Sequence, residues 1–241
     1  MKEPKDYIIF PLDVPSYDQA ISYVETLDGH VGLFKVGLEL FIAQGPDILK
    51  AIRKRTSAGI FLDLKLHDIP ATVQRAFMAA SVHRPEFVTV HCDEGNGILK
   101  SVAEQNPGNT KILAITVLTS LNQEKLGKLG YAQEYADDVS ALVLLKARMA
   151  KAAGCQGVVC SGLEVAMVRK EIGPDMIAVT PGIRPAWTIV DQDDQKRIVT
   201  PADAIENGAD YVVIGRPIRD AKNPQDAAKQ VAEEIGSVLN T

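Results

Sequence analysis

The sequence contains few cysteines and histidines, and both scarcities exclude common kinds of site. Its three cysteines, Cys92, Cys155 and Cys160, form no C-x-x-C pair, so we expect buried reduced thiols and neither a disulfide framework nor a zinc site. The four histidines show no H-x-x-x-H or H-E-x-x-H spacing. His67 and His91 are therefore expected to be structural, hydrogen-bonded side chains with no metal bound.

The sequence also lacks a basic excess and a long apolar run. Thirty-one acidic against 26 basic side chains give a formal net charge of −5, which argues against a general nucleic-acid or anionic-membrane surface. No run approaches the roughly 18 apolar residues that a membrane span needs, and "MKEPKDY" at the start lacks the apolar stretch of a signal peptide. We therefore expect a cytoplasmic protein that binds neither a nucleic acid polymer nor a membrane.

Short apolar or β-branched segments alternate along the chain with amphipathic segments, which is the pattern of strand and crossover helix. Dividing 241 residues by eight segments gives about 30 residues per unit, the length of one βα repeat. The predicted strands are residues 7–14, 32–37, 59–65, 87–91, 111–118, 157–161, 176–182 and 211–215.

The segments between these strands predict helices. "SYDQAISYVETL" opens on a serine cap, "TVQRAFMAAS" has helical apolar spacing, and "SALVLLKARMAKAAG" ends at Gly154. Because no Pro/Gly/Ser-rich linker interrupts the chain, one domain over residues 1–241 is expected, although two small domains would also fit the length. The predicted fold is α/β, a single (β/α)8 TIM barrel with its active site at the carboxyl ends of the strands. A doubly wound open sheet is the alternative, but no G-x-G-x-x-G follows the first strand.

The stretch "FLDLKLHDIP", residues 61–70, places charge in what otherwise resembles a buried strand. Buried charges must be paired or must reach a cavity. Asp63 and Lys65 are two positions apart and therefore share a face, which we expect to be the mouth of the barrel lumen. Lys35, Asp63, Lys65 and Asp68 are expected to alternate in space and cancel, which would keep the lysines protonated. Polar or charged side chains also close other predicted strands, at Asp13, His91, Ser161, Arg184 and Arg216.

Two short motifs in the C-terminal half predict a phosphate site. "GIRP" (182–185) and "IGRP" (214–217) each place a glycine beside an arginine after a strand, where barrels often bind phosphate. Between them, "IRPAWTIVDQDDQKR" has no strand pattern and is interpreted as a mobile loop that could close over substrate. For Trp187, packing against the barrel rim and contact with such a lid are both possible.

These motifs resemble those of one family. "FLDLKLHDIPAT" is similar at every specified position to D-x-K-x-x-D-I-P-x-T, the signature of the orotidine 5′-monophosphate decarboxylases. The resemblance extends through "PLDV", "FKVG", "VLTS", "CSGLE", "TPGIRP", "DQKRIVTPADAI" and "VVIGRPI". It implies decarboxylation of orotidine 5′-monophosphate to uridine 5′-monophosphate (UMP) and CO2 in de novo pyrimidine biosynthesis, without metal or other cofactor. It also implies a homodimer with shared active sites.

The resemblance assigns a role to several residues. It makes Lys65 the proton donor to C6 of the pyrimidine, with Lys35, Asp63 and Asp68 fixing and polarising it. It implies that Asp13 binds ribose hydroxyls, that Ser161 reads the pyrimidine amide edge, and that Asp68 and Thr72 act across a dimer interface. The remaining implied substrate-binding residues are Thr119, Pro181, Arg184, Gln195, Gly215 and Arg216. From the residues alone, Ser161 and Thr119 would instead be helix caps.

Two points stay open at this level. The loop is about two residues longer than usual for the family, so Gln192 is an alternative to Gln195 at the phosphate.

Metal-dependent relatives share the same D-x-K-x-x-D core, and examples are 3-keto-L-gulonate 6-phosphate decarboxylase and hexulose-phosphate synthase. These enzymes need an acidic Mg²⁺ ligand at the end of the second strand, where this chain has Lys35. A catalytically silent nucleotide-binding barrel and a purely structural barrel would not need the charge network.

Overall fold

The computed structural model describes residues 2–108, 110–188 and 199–239. Parallel strands pair in sequence order, and the last pairs with the first, so the sheet closes into a barrel. The strands are β1 (Ile8–Pro11), β2 (Leu33–Gly37), β3 (Gly59–Leu66), β4 (Phe87–His91), β5 (Lys111–Ile115), β6 (Gly157–Val159), β7 (Ile177–Pro181) and β8 (Tyr211–Val213). The predicted (β/α)8 barrel is confirmed, and the open sheet is excluded because β1 and β8 are hydrogen-bonded neighbours.

Helices cover the outside of the barrel. They are α1 (Tyr17–Leu27), α2 (Leu38–Gln44), α3 (Asp47–Arg53), α4 (Pro70–Ser81), α5 (Asn96–Gln105), α6 (Gln123–Lys128), α7 (Gln133–Asp137), α8 (Val139–Ala152), α9 (Val165–Ile172), α10 (Pro201–Glu206), α11 (Arg216–Arg219) and α12 (Pro224–Leu239). Single 3₁₀ turns lie at Pro4–Tyr7 and Ala186–Thr188. Within the described residues, no helix is both long and apolar enough to cross a membrane.

Local sequence explains where the predicted helices begin and end. Ser16 caps α1 by accepting a hydrogen bond from the Gln19 N–H at 3.3 Å. Gly154 follows α8 with φ +83°, a left-handed conformation that glycine adopts without strain. These two ends agree with the predicted helices.

The barrel lumen is closed by its own side chains. Apolar residues from most of the strands meet inside it, and Phe61 and Phe87 pack edge to face with ring centroids 5.8 Å apart. The buried lumen residues are Ile9, Leu33, Phe61, Phe87, Leu113, Val179 and Val213. Because this layer fills the lumen, a ligand cannot bind inside the barrel and can bind only at one of its ends.

The three cysteines are free and buried, as predicted. Burial raises the pKa of each thiol to about 12. A thiol with so high a pKa is a poor nucleophile at neutral pH.

Several strands end earlier than predicted. β1 ends at Pro11, which leaves Asp13 in the loop that follows. β6 ends at Val159 because the chain then turns, with the Ser161 hydroxyl accepting a hydrogen bond from the Leu163 N–H at 3.1 Å. Asp13 and Ser161 therefore lie just past their strands, on loops at the carboxyl end of the barrel.

Candidate active site

β3 contains a bulge where its two charged residues lie. Leu62 pairs with Val88 and Leu66 with Val90, so three residues of β3 stand opposite Thr89 of β4. Lys65, inside this bulge, has φ +49°, which is uncommon for a residue with a Cβ. Bulges of this kind redirect side chains beside active sites.

Four side chains of alternating sign form what we call the charge chain: Asp13, Lys35, Asp63 and Lys65. Lys35 Nζ lies 3.0 Å from Asp13 Oδ1 and 3.5 Å from Asp63 Oδ2. Lys65 Nζ lies 2.7 Å from the same Asp63 oxygen. Charges of opposite sign therefore alternate along Asp13, Lys35, Asp63 and Lys65. Gly37 leaves room for the Lys35 side chain, because a Cβ at position 37 would lie only 3.2 Å from Lys35 Nζ.

Asp63 is the most buried member of the charge chain, at 8% exposure. Burial by itself raises the pKa of this carboxyl, but the charges of Lys35 and Lys65 and the hydrogen bonds from Lys65 and Thr89 outweigh burial. The pKa of Asp63 is consequently below its ordinary value, and the side chain is a carboxylate at neutral pH.

Thr89 connects two members of the charge chain. Its hydroxyl accepts a hydrogen bond from the Lys65 N–H at 2.8 Å and donates one to Asp63 Oδ1 at 2.9 Å. Sequence reasoning missed this residue because a threonine in "FVTVH" is an ordinary strand former. The available signal was the alternation of β4, which places Thr89 on the lumen face with Phe87.

A cavity of about 370 Å³ opens at the carboxyl ends of the strands, and we call it the barrel-mouth cavity. All four members of the charge chain line it. Other polar or loop residues in its lining are Thr119, Pro181, Gly182, Arg184, Gly215, Arg216 and Arg219. One wall therefore alternates in charge, while Arg184 and Arg216 bring guanidinium groups that suit an anion. The guanidinium of Arg219 is already paired with the Asp220 carboxylate, at 2.7 and 3.1 Å.

Arg184 lies on the loop after β7, whereas Arg216 and Arg219 belong to the short helix α11 after β8. Arg184 follows β7, is buried, and donates from Nη1 to the Ile183 carbonyl at 3.0 Å. Arg216 opens α11 and is exposed. A Cβ at Gly215 would lie 2.9 Å from Pro11 Cγ, so glycine permits the close approach of this loop to β1. Arg219, three residues after Arg216, was not predicted, although the i, i+3 spacing on a helix was an available signal.

The lysines of the charge chain disfavour a metal ion at its carboxylates. The Lys35 ammonium lies within ion-pair distance of both Asp13 and Asp63. Among the residues in ranges 2–108, 110–188 and 199–239, no group of three or more His, Cys, Asp and Glu side chains is arranged to hold a metal ion. A divalent cation at these carboxylates would be repelled by Lys35 and Lys65.

Comparison with known proteins gives a consistent result. The model of the orotidine 5′-phosphate decarboxylase / HUMPS family matches residues 6–231. The chain belongs to this family. A protein of Desulfosudis oleivorans named orotidine 5′-phosphate decarboxylase is 46% identical over 239 residues, which cover 99% of this chain and 96% of that protein. The protein of the same name from Methylococcus capsulatus is also 46% identical, over 97% of this chain and 93% of its own length.

Solved structures agree. The crystal structure of orotidine 5′-phosphate decarboxylase from Lactobacillus acidophilus has a TM-score of 0.82 and 36% sequence identity, with 95% of this chain and 98% of that chain covered. The family's barrel therefore extends over nearly the full length of this chain.

The decarboxylase signature runs from β3 into α4, and only its first half, with Asp63 and Lys65, lines the barrel-mouth cavity. Asp68 is exposed, and its Oδ1 accepts a hydrogen bond from the Ile69 N–H at 2.6 Å. Neither Asp68 nor Thr72 lines the cavity of its own chain. Within the described residues of one chain, no ion pair joins Asp68 to Lys35 or Lys65, and the place of Asp68 beside the other three charges stays a prediction that involves a second subunit.

The other residues suggested by the decarboxylase resemblance differ in which cavity they line. Thr119 and Pro181 line both the barrel-mouth cavity and a neighbouring cavity of about 730 Å³. Ser161 lines only the neighbouring cavity. Trp187 is exposed at 46% on the 3₁₀ turn after β7. Gln192, Gln195 and the part of the predicted mobile loop between residues 189 and 198 lie outside the described residues.

Proposed function

We propose that this chain, acting as one catalytic domain, decarboxylates orotidine 5′-monophosphate to UMP and CO2 without a metal ion or other cofactor. The observation that carries this proposal is the charge chain at the barrel mouth, with Lys65 and Lys35 both held against Asp63. Membership in the family supports the substrate. A role in de novo pyrimidine biosynthesis and a cytoplasmic location belong to the same proposal.

The chemistry explains why two lysines and a buried carboxylate suit this reaction. When the bond between C6 and the carboxylate breaks, its electron pair stays on C6 and CO2 leaves. A carbanion there has no adjacent electron sink, so a fixed ammonium supplies the largest available stabilisation. Lys65 then transfers a proton from Nζ to C6 and regains one from water.

Lys65 is the best-placed donor because of its geometry. Its side chain is 34% exposed and lines the barrel-mouth cavity, whereas the Lys35 side chain is 12% exposed and lies between Asp13 and Asp63. We assign Lys35 and Asp63 to fixing Lys65, and we propose that Asp63 also repels the substrate carboxylate.

The same cavity offers groups for the rest of the nucleotide. We propose that Arg216, Arg184, Gly215 and Gln195 bind the phosphate and that Asp13 binds ribose hydroxyls. The exposed Arg216 at the start of α11 supports this, because a guanidinium beside backbone N–H groups suits phosphate. Thr119, Pro181 and Ser161 are proposed to contact the base, and the adjoining positions of the two cavities support this.

We further propose a homodimer in which Asp68 and Thr72 complete the active site of the partner subunit. Both lie outside their own cavity, and Ile69 beside them is exposed at 67%. Large apolar side chains are also exposed on α2 and on and just after α4. They are Leu38, Ile42, Met78 and Val82. Exposed apolar residues on neighbouring βα units favour burial against a second copy.

Mixing two inactive variants tests the shared site. Lys65→Ala and Asp68→Ala are each expected to be inactive alone, but a heterodimer of the two has one intact site. After unfolding and refolding together, random pairing should restore about a quarter of wild-type activity. Light scattering on each sample reports the dimer, and a mixture that stays inactive although it is dimeric would refute the shared site.

The decarboxylation itself is tested by the ultraviolet absorbance of orotidine 5′-monophosphate on addition of the purified protein, with and without excess EDTA. We expect conversion to UMP at the same rate in both samples. Activity lost with EDTA and restored with Mg²⁺ would favour the metal-dependent relatives. Binding of UMP without any turnover would favour the catalytically silent barrel.

A further inference from the structure

Thr89 lies beneath the charge chain, and no role follows for it from the reaction as described so far. We propose that Thr89 is a positioning residue that holds the bulge of β3, so that the Lys65 ammonium lies against Asp63 and reaches the barrel-mouth cavity. This inference rests on the proposed function, because it assigns Thr89 an effect on proton delivery by Lys65.

The hydrogen bonds of Thr89 use both roles of its hydroxyl. The oxygen accepts from the Lys65 N–H at 2.8 Å, and the O–H donates to Asp63 Oδ1 at 2.9 Å. Asp63 Oδ2 is then left to the two ammonium groups, at 2.7 Å from Lys65 and 3.5 Å from Lys35. Each oxygen of the carboxylate thus has its own partners, and the rotation of the carboxylate is fixed.

The bulge explains why this hydroxyl is needed. Thr89 of β4 lies opposite the three bulged residues of β3. The Lys65 N–H is therefore outside the regular backbone hydrogen-bond pattern between these two strands. A buried N–H requires another acceptor. Thr89 is fully buried, so water has little access to replace its hydroxyl. Lys65 also has φ +49°, and a residue persists in that conformation when its surroundings hold it there.

A simple packing role is the competing explanation, and it makes a different prediction. Valine has nearly the shape of threonine without the hydroxyl, so it would satisfy packing alone. Thr180 offers a matched control: it is also a fully buried strand threonine, and its hydroxyl has no hydrogen-bond partner among the described residues.

The test compares wild type with Thr89→Val, Thr89→Ser and Thr180→Val. We expect Thr89→Val to lower kcat by roughly 10- to 100-fold, because small displacements of a catalytic group have large effects on rate. The dissociation constant for UMP should change less than about threefold, because the phosphate and ribose groups are untouched. Thr89→Ser should recover most of kcat, and Thr180→Val should match wild type.

Three outcomes would overturn the inference: kcat of Thr89→Val within about twofold of wild type, an equal loss in Thr89→Ser, or a loss of UMP affinity as large as the loss of kcat. If Thr89→Val does not fold, Thr89→Ser and Thr89→Ala give the same comparison, because they differ only by the hydroxyl.

Amide hydrogen exchange of Lys65, followed by NMR, separates this inference from the proposed function. The exchange should be faster in Thr89→Val than in Thr89→Ser whether or not the protein turns over orotidine 5′-monophosphate. A wild type that is inactive would refute the decarboxylation. Equal Lys65 exchange in the two variants would refute the role of Thr89.

Discussion

The imidazole rings of His67 and His91 stack with centroids 5.0 Å apart and planes 19° apart. His67 Nε2 lies 2.9 Å from Glu94 Oε1, and His91 Nδ1 lies 2.7 Å from Asp93 Oδ2. The ring pair therefore joins the loop after β3, which carries Asp68, to the end of β4.

Removing one ring should loosen that loop. We expect His91→Ala to increase amide hydrogen exchange at residues 66–69 by about tenfold, because the stacking partner of His67 is lost. Exchange in β1 should not change. Mass spectrometry of exchanged peptides measures both segments. His30→Ala is the control, because His30 follows the end of α1 that is farther from the barrel mouth. Unchanged exchange at residues 66–69 in His91→Ala would contradict the idea that the ring pair holds this loop.

Asp93 also forms an ion pair with Lys146, which is 5% exposed on α8. Burial raises the pKa of Asp93, but its close contacts with the His91 ring and the Lys146 ammonium outweigh burial and hold the pKa well below its usual range. Removing the carboxylate leaves a buried ammonium unpaired.

Asp93→Asn should therefore lower the free energy of unfolding by about 3–5 kcal/mol. Lys146→Met should have a smaller effect, because the Asp93 side chain is 29% exposed and can be hydrated. Urea unfolding of both variants and of the double variant gives the coupling between them. We expect the double variant to be more stable than Asp93→Asn, and additive losses would show that the pair is not coupled.

The sequence predicts the barrel and much of the candidate site because both follow from local patterns. Alternating segments define the strands, and the strand ends bring Lys35, Asp63 and Lys65 together. The missed features depend on register and on where the strands end. The bulge opposite Thr89 arises from pairing with β4, and β3 ends at Leu66, so Asp68 lies on the exposed loop that follows. Pairing of Asp93 with Lys146, 53 positions later, has no local signature.

The depressed pKa of Asp63 makes its contribution to stability depend on pH. An unfolded aspartate titrates near pH 4, and the native carboxyl has a lower pKa, so the unfolded state binds more protons around that pH. The stabilisation is therefore present above about pH 4 and is lost as pH falls through the native pKa.

We accordingly expect the difference in free energy of unfolding between wild type and Asp63→Asn to shrink between pH 6 and pH 3. Urea unfolding at several pH values in this range measures it. Thr180→Val removes no titratable group and supplies a control variant for which the difference should stay flat. A difference that is constant with pH for Asp63→Asn would contradict the assigned contacts.

The buried thiols predict a simple chemical result. Because burial raises the pKa of Cys92, Cys155 and Cys160 to about 12, none should react quickly with Ellman's reagent in the native protein at pH 7.5. In guanidinium chloride all three should react. Fast labelling of a native thiol would show that one of these residues is more accessible than the fold indicates.

The most direct measurement compares Lys65→Ala and Arg216→Ala in decarboxylation of orotidine 5′-monophosphate and in binding of UMP. If Lys65 delivers the proton, Lys65→Ala should lose at least roughly 10³-fold in kcat while its UMP affinity stays within about tenfold of wild type. Arg216→Ala should show the reverse pattern, with weaker binding and a smaller change in kcat. Normal turnover in Lys65→Ala would contradict the assignment of Lys65 as the proton donor.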